Sequence, residues 1–195
     1  KTSYDQIYDE HIFMFSASSV QKICLLFDME LIDILKQETH GGSLRYVCAR
    51  KNVYKVKTNV NYFIDKEKKN NLDNIHSCFE FKKNCENSKK NLKEKLLKLK
   101  EDNKKICGYA ATSKSTTILN YCNIGTEIID FICDTTPEKI GKFSPGMHIP
   151  IKPINYFHEN YPDIAFLFAW NHKEEIFEKE KEFSQKGKWV AHVEL

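Results

Sequence analysis

Lys105-Ile106-Cys107-Gly108-Tyr109-Ala110, continued by Ala111-Thr112-Ser113-Lys114-Ser115-Thr116-Thr117-Ile118-Leu119-Asn120-Tyr121-Cys122, decides the fold. A short apolar run ends in a polar loop, and a helical segment near Thr116–Cys122 follows. The alternation recurs downstream. Glu127–Asp134 reads as a strand, followed by a Pro/Gly-rich loop to Pro150 and a short helix over Pro153–Tyr161. Asp163–Ala169 reads as an apolar strand, and Asn171 with Glu174 has the spacing to cap a helix that ends before Gly187. Trp189–Val193 reads as the last strand. Alternating strands and helices, with nearly continuous apolar strands, imply an α/β fold: a parallel sheet covered on both faces. Such sheets bind ligands at the carboxyl ends of their strands, which puts loops 111–115, 134–148 and 170–172 on one rim.

Upstream the texture changes twice. Residues 66–104 hold no Gly or Pro and set Lys and Glu around Leu72, Ile75, Phe79, Leu92, Leu96 and Leu99. This segment reads as helical, with room for two helices because the interval between Phe79 and Leu92 is polar. Fewer than about three clean heptads can be found, which argues against a dimeric coiled coil. In the first 60 residues, Ser18 and Gln21 have capping-box spacing before a helix marked by Val20, Cys24 and Phe27. Met29–Leu35 and Leu44–Ala49 read as strands, and Gly41-Gly42 between them suits an antiparallel hairpin.

Composition narrows the function classes. A net charge of +3 is too small to suggest a nucleic-acid partner. From Lys66 to Lys105 there are 13 Lys against 7 acidic residues, but few aromatics to stack bases, so this stretch reads as a solvated helix face. No apolar run approaches the roughly 18 residues of a membrane span, and the first residues lead into no signal core. A soluble cytoplasmic protein is the expectation. Seven cysteines, with no C-x-x-C pair, argue against zinc and against a disulfide framework. Cys24, Cys107 and Cys133 lie in apolar runs and read as small buried hydrophobes.

Several residues could carry chemistry. Gly108 to Ser115 nearly matches G-x-x-x-x-G-K-[ST], but Ser113 replaces the second Gly, which argues against a working ATPase loop. Backbone N–H groups at the helix start, with Thr112, Ser113 and Lys114, would still favour an anion such as a diphosphate. The bland alternative is an ordinary turn with an exposed Lys. Tyr8, Glu10 and His11 sit together; Tyr and His can hold or pass protons and Glu can orient either, or the three share a surface loop by chance. His40 before the Gly pair and His148 in the loop Pro145–Pro150 could each contact a ligand or merely belong to turns. Trp170 reads as core or pocket wall.

These pieces, in this order, resemble the sugar C-methyltransferases that use S-adenosylmethionine. Tyr4-Asp5-Gln6-Ile7-Tyr8-Asp9-Glu10-His11 and Thr39-His40-Gly41-Gly42-Ser43-Leu44-Arg45 look like the end of that family's methyltransferase domain. Gly108–Lys114, Leu119–Cys122, Asp134–Lys142, Pro145–Ile151 and Pro162–Asn171 look like its C-terminal domain. The resemblance covers nearly the whole chain and is weakest over 66–104. It implies a remnant of the cofactor domain over 1–60, a helical connector over 61–104 and a Rossmann-like substrate domain over 105–195. The family's N-terminal zinc domain and cofactor loop would lie before Lys1, so the chain is expected to be truncated and inactive alone. Where the family often has Gly, this chain has Ala110 and Ser115, which is expected to alter nucleotide fit or remove binding.

The resemblance also implies the chemistry. A base removes a proton beside the ketone of a nucleotide-diphosphate deoxysugar, and the enolate takes a methyl group from S-adenosylmethionine. By motif, His11 is the expected base or relay, Glu10 orients it, and Tyr8 bonds the sugar or its enolate. Thr112, Ser113, Lys114, His148 and His40 are the expected substrate contacts, and no metal is expected. The competing reading is a non-catalytic module that binds a nucleotide sugar or a partner. A dehydrogenase-like protein is disfavoured because G-x-G-x-x-G is missing.

Overall fold

The computed structural model describes residues 2–194, with side chains to Val193. They divide into two compact units. One is Ile12–Lys82; the other joins the residues up to His11 to those from Lys83 onward.

In the Ile12–Lys82 unit, helix α1 (Ala17–Leu26) leads into strand β1 (Met29–Gln37), which pairs antiparallel with β2 (Ser43–Arg50) around a tight turn at Thr39–Gly42. Helix α2 (Thr58–Lys69) follows. Ala17, Cys24, Leu31, Ile34, Val60, Phe63 and Ile64 form the core. The hairpin is as expected, but the cap is not. The capping box is Ser16 with Ser19, two residues earlier than the Ser18–Gln21 pair. Ser18 instead gives its N–H and hydroxyl to the Glu67 carboxylate, which also accepts from Ala17 N–H. A carboxylate from α2 thus satisfies the orphan donors of α1.

The helical stretch does form two helices, α2 and α3 (Ile75–Glu101), but the break falls at Asn70–Asn74 rather than between Phe79 and Leu92. Asn71 sits at φ 54°, and Asn tolerates that left-handed conformation. The division between the units falls within α3.

The larger unit is built on five parallel strands: β3 (Ile106–Tyr109), β4 (Phe131–Asp134), β5 (Ile151–Pro153), β6 (Ile164–Leu167) and β7 (Lys188–Val190). Their order is β5-β4-β3-β6-β7. Helices α4 (Ser113–Cys122), α5 (Ile154–Glu159), α6 (Lys173–Lys179) and α7 (Lys181–Lys186) connect them. The fold is Rossmann-like, as expected. One face packs Ile118, Leu119, Ile132 and Phe166 with Leu92 and Leu96 of α3; the other packs Tyr109, Phe157, Leu167 and Phe183. Cys107 and Cys133 are buried on this second face.

Four local readings change. Strand β4 is shorter than Glu127–Asp134, because Ile128 is tied into a turn by the Gly125 carbonyl. Strand β5 was hidden in the Pro-rich loop. Strand β7 stops at Val190 and a helical turn follows at His192. Asn171 caps nothing; its side chain accepts from Lys114 Nζ at 2.8 Å.

Because the chain builds β3-β4-β5 outward in one direction and then returns to place β6 and β7 on the other side of β3, strand order reverses between β3 and β6. In folds of this kind ligands bind at such a reversal, at the carboxyl ends of the strands. No described helix is long and apolar enough to cross a membrane.

Candidate functional site

The turn leaving β3 is held from below. A Cβ on Gly108 would stand 2.6 Å from the Phe168 ring and 3.0 Å from Ile132, so only Gly fits this strand position. Ala110 has φ 73°, a left-handed conformation in which a Cβ costs about 1 kcal/mol or more. Ala110→Gly is therefore expected to raise stability by about 0.5–1 kcal/mol after the extra freedom of the unfolded chain is set against it. Urea denaturation of the two proteins checks this; equal midpoints would mean the strain is already relieved elsewhere.

Beyond Ala110, the Ala111 N–H donates to Asp134 Oδ2 at 2.7 Å, and Thr136 N–H donates to Asp134 Oδ1 at 2.8 Å. Thr112 caps α4 by accepting from Ser115 N–H. Lys139 Nζ lies 2.7 Å from the Ala111 carbonyl and 3.7 Å from Asp134. These groups border a cleft of about 350 Å³ lined by Thr112, Ser113, Thr116, Lys139, Lys142 and Phe143, among others. The Pro145–Ile149 loop is fastened beside it, with Asn120 Nδ2 donating to the Pro145 carbonyl at 3.0 Å.

On the other side of the turn, at the strand-order reversal, Lys114 points inward. It is 6% exposed and lies 5.2 Å from the Trp170 ring centre. Burial pulls its pKa down, and the nearby Asp5 charge opposes that pull. Asp5 is itself fully buried. Its Oδ2 accepts from Trp170 Nε1 at 2.7 Å and its Oδ1 from His192 Nε2 at 3.1 Å.

Burial alone would raise the carboxyls of Asp5 and Asp134. Hydrogen bonds from His192 and Trp170 to Asp5 outweigh burial there, as do those from Thr136 and Ala111 to Asp134, and both titrate below the ordinary carboxylate value. A carboxyl whose pKa falls on folding stabilises the fold above its unfolded pKa, about 4, and that contribution is lost as pH falls through the folded value. Thermal melts are therefore expected to be flat from about pH 7 to 5 and to drop steeply below about pH 4. The double variant Asp5→Asn, Asp134→Asn should flatten that acid limb; an unchanged limb would assign it to other groups.

Three residues after Asp5 the segment presents a closed pair. The Tyr8 hydroxyl lies 2.9 Å from His11 Nε2, and His11 Nδ1 lies 2.7 Å from the Gln6 carbonyl oxygen. A carbonyl oxygen only accepts, so Nδ1 carries the proton and Nε2 of the neutral ring accepts from Tyr8. Burial, then the charges of Glu10, Asp5 and Asp9, push the Tyr8 phenol upward. The Ile7 carbonyl accepts from Thr117 Oγ1 of α4 at 3.1 Å, which ties this pair to the helix whose first turn borders the cleft.

The family described as C-methyltransferase C-terminal domain matches residues 38–193. The chain belongs to that C-methyltransferase family. It is also 31% identical over 188 residues to the C-methyltransferase NovU of Streptomyces niveus, an alignment covering 94% of this chain and 44% of that protein. The chain thus spans less than half the length of this curated relative.

In this C-methyltransferase chain the expected site residues separate into groups; Tyr8, Glu10 and His11 precede the matched residues 38–193. Thr112 and Ser113 line the cleft, whereas Lys114 turns away from it toward Asn171 and Trp170. His148 is exposed at φ 51° in the loop after Ser144 and does not line the cleft. Tyr8 and His11 are brought together, while Glu10 is exposed. His40 belongs to the other unit, at the hairpin turn with φ 56°. Sequence reasoning missed Lys139, Lys142, Asp5 and His192. Lys139 and Lys142 stood in the matched run Asp134–Lys142, and spacing of two lysines across a loop start was their only signal.

Proposed function

We propose that this chain is the substrate-holding and proton-transfer part of an S-adenosylmethionine-dependent C-methyltransferase acting on a nucleotide-linked keto-deoxysugar. The observation that carries the reading is the Tyr8–His11 pair at 2.9 Å, fastened in the same unit as the cleft at the start of α4. A proton beside a ketone is weakly acidic, so its removal needs a base with a pKa near neutral and a donor for the enolate oxygen. His11, with Nδ1 protonated and Nε2 held by Tyr8, can accept a proton through Tyr8 or directly once a substrate displaces the hydroxyl. Tyr8, as a phenol kept protonated, can then donate to the enolate oxygen. Glu10, one residue before His11, is proposed to orient it. Thr112 and Ser113, with the Lys139 and Lys142 ammonium groups, suit a diphosphate in the cleft. His148 remains a proposed contact to the remainder of the substrate.

The turn after β3 does not fit the methyl donor itself. The turn after β3 has its Ala111 and Ser115 N–H groups already bonded to Asp134 and Thr112, and no Gly follows Gly108 before Gly125. The chemistry assigned to these residues is the proton transfer, and the chain alone is proposed not to methylate. Cytoplasmic residence is proposed with it.

Two measurements test the reading. Calorimetry with nucleotide-diphosphate deoxysugars should detect binding, with S-adenosylmethionine as the silent control. In D2O, a bound keto sugar should exchange the proton beside its ketone for deuterium without any methyl donor. Sugar-nucleotide binding with no exchange would favour the non-catalytic module instead.

A further inference from the structure

Asp5 stands outside the chemistry assigned above, yet three distant parts of the larger unit meet on its carboxylate. It is fully buried, 165 residues from Trp170 and 187 from His192 in sequence. Trp170 closes the end of β6 at the strand-order reversal, and His192, also buried, follows β7. Tyr4 next to it packs its ring against Tyr121 and His192 and sets its hydroxyl 3.4 Å from Cys122 Sγ. Asp5 therefore fixes the backbone of Tyr4–Gln6, a single helical turn, against the rest of the unit. The next peptide along is the Gln6 carbonyl, which accepts from His11 Nδ1 at 2.7 Å.

We infer that Asp5 is a positioning residue for the Tyr8–His11 pair: by anchoring the turn to Trp170 and His192 it aims the Gln6 carbonyl at His11 Nδ1 and so fixes the imidazole tautomer that leaves Nε2 facing Tyr8. The inference rests on the proton-transfer reading for its functional consequence, but the tautomer it sets is a property of the free chain. An imidazole base works only with its lone pair on the reacting side, and the bond at its other nitrogen decides that side. Asp5 acts two bonds removed. Its carboxylate needs two N–H donors to stay buried as an anion, and Trp170 Nε1 and His192 Nε2 supply them.

The test is Asp5→Asn in this chain, read by nitrogen NMR of the His11 ring and by deuterium exchange of a nucleotide-linked keto sugar. Asn keeps one acceptor oxygen but loses the charge that both donors share, and its amide N–H faces the His192 Nε2 proton, so the fastening of the turn to His192 is weakened. Wild type should show a single His11 tautomer protonated on Nδ1. Asp5→Asn should show a mixture, with the exchange rate constant down by about tenfold or more and the KM for the sugar nucleotide within about twofold. Trp170→Phe, which keeps an aromatic ring, smaller than the indole, but removes the donor, should give the same pattern to a smaller extent, and it decides the matter if Asp5→Asn does not fold. An unchanged tautomer in a folded variant overturns the inference. Absence of exchange in wild type with the tautomer shift intact would sink the proton-transfer reading and leave the positioning role standing.

Discussion

His11→Asn is expected to slow deuterium exchange beside the ketone by about 10²–10³-fold while leaving sugar-nucleotide affinity within about twofold. The geometry sets the asymmetry. The imidazole meets the Gln6 carbonyl at 2.7 Å on one side and the Tyr8 hydroxyl at 2.9 Å on the other. Asn can still donate to the carbonyl, so the turn is kept, but an amide cannot accept and hold a proton near neutral pH. The cleft proposed for the diphosphate is lined by Thr112, Ser113, Lys139 and Lys142, not by His11, which is why binding should persist. Proton NMR in D2O gives the rate and calorimetry the affinity. A rate within about threefold of wild type would remove His11 from the proton-transfer role; a matching loss of affinity would recast it as a binding residue.

Trp170→Ala should cost about 4 kcal/mol of stability, a large share of what a domain of this size possesses. Three effects act together. The indole is 5% exposed and its removal leaves a cavity at the end of β6. Its Nε1 proton is one of the two that Asp5 holds at 3.1 Å or less, and a buried carboxylate short of a donor is costly. Lys114, buried with its Nζ 5.2 Å from the ring centre, loses the face it rests on. Trp170→Phe reduces the first effect and keeps the second, because an aromatic ring remains, smaller than the indole, while the donor goes. Urea unfolding of both variants is the measurement, and a loss below about 1 kcal/mol for the Ala variant would show that the end of β6 collapses to fill the space.

The parallel sheet was legible because its central strands announce themselves. Ile106–Tyr109 and Ile164–Leu167 are buried at every position, and a strand covered on both faces must be apolar throughout. Strand β5 was not, since it is three residues at the sheet edge and ends in Pro153, which only an edge tolerates. The helix start at Ser16 was displaced by two residues because two serines satisfy the same rule, and the competition is decided by Glu67, 49 residues beyond Ser18. The site divides in the same way. The Tyr8–His11 pair lies within one turn of chain, so its residues could be picked out by proximity. Asp5 could not, because nothing within a dozen residues of it reveals that its partners are an indole and an imidazole near the other end of the chain.

The larger unit is discontinuous: a short opening segment, a departure at Ile12, and a return inside α3 at Lys83. Its opening segment is locked by a residue far along the chain, since the Asp5–His192 bond spans 187 positions. Contacts that far apart close late and slow the approach to the native state. During synthesis, the hairpin and helices of Ile12–Lys82 can pair while the ribosome is still making the sheet, but the turn that carries Tyr8 and His11 must wait for β7 and the residues after it. A chain interrupted before His192 would therefore hold the sheet and the cleft while the Tyr4–Gln6 turn lacked one of the two bonds that fasten Asp5.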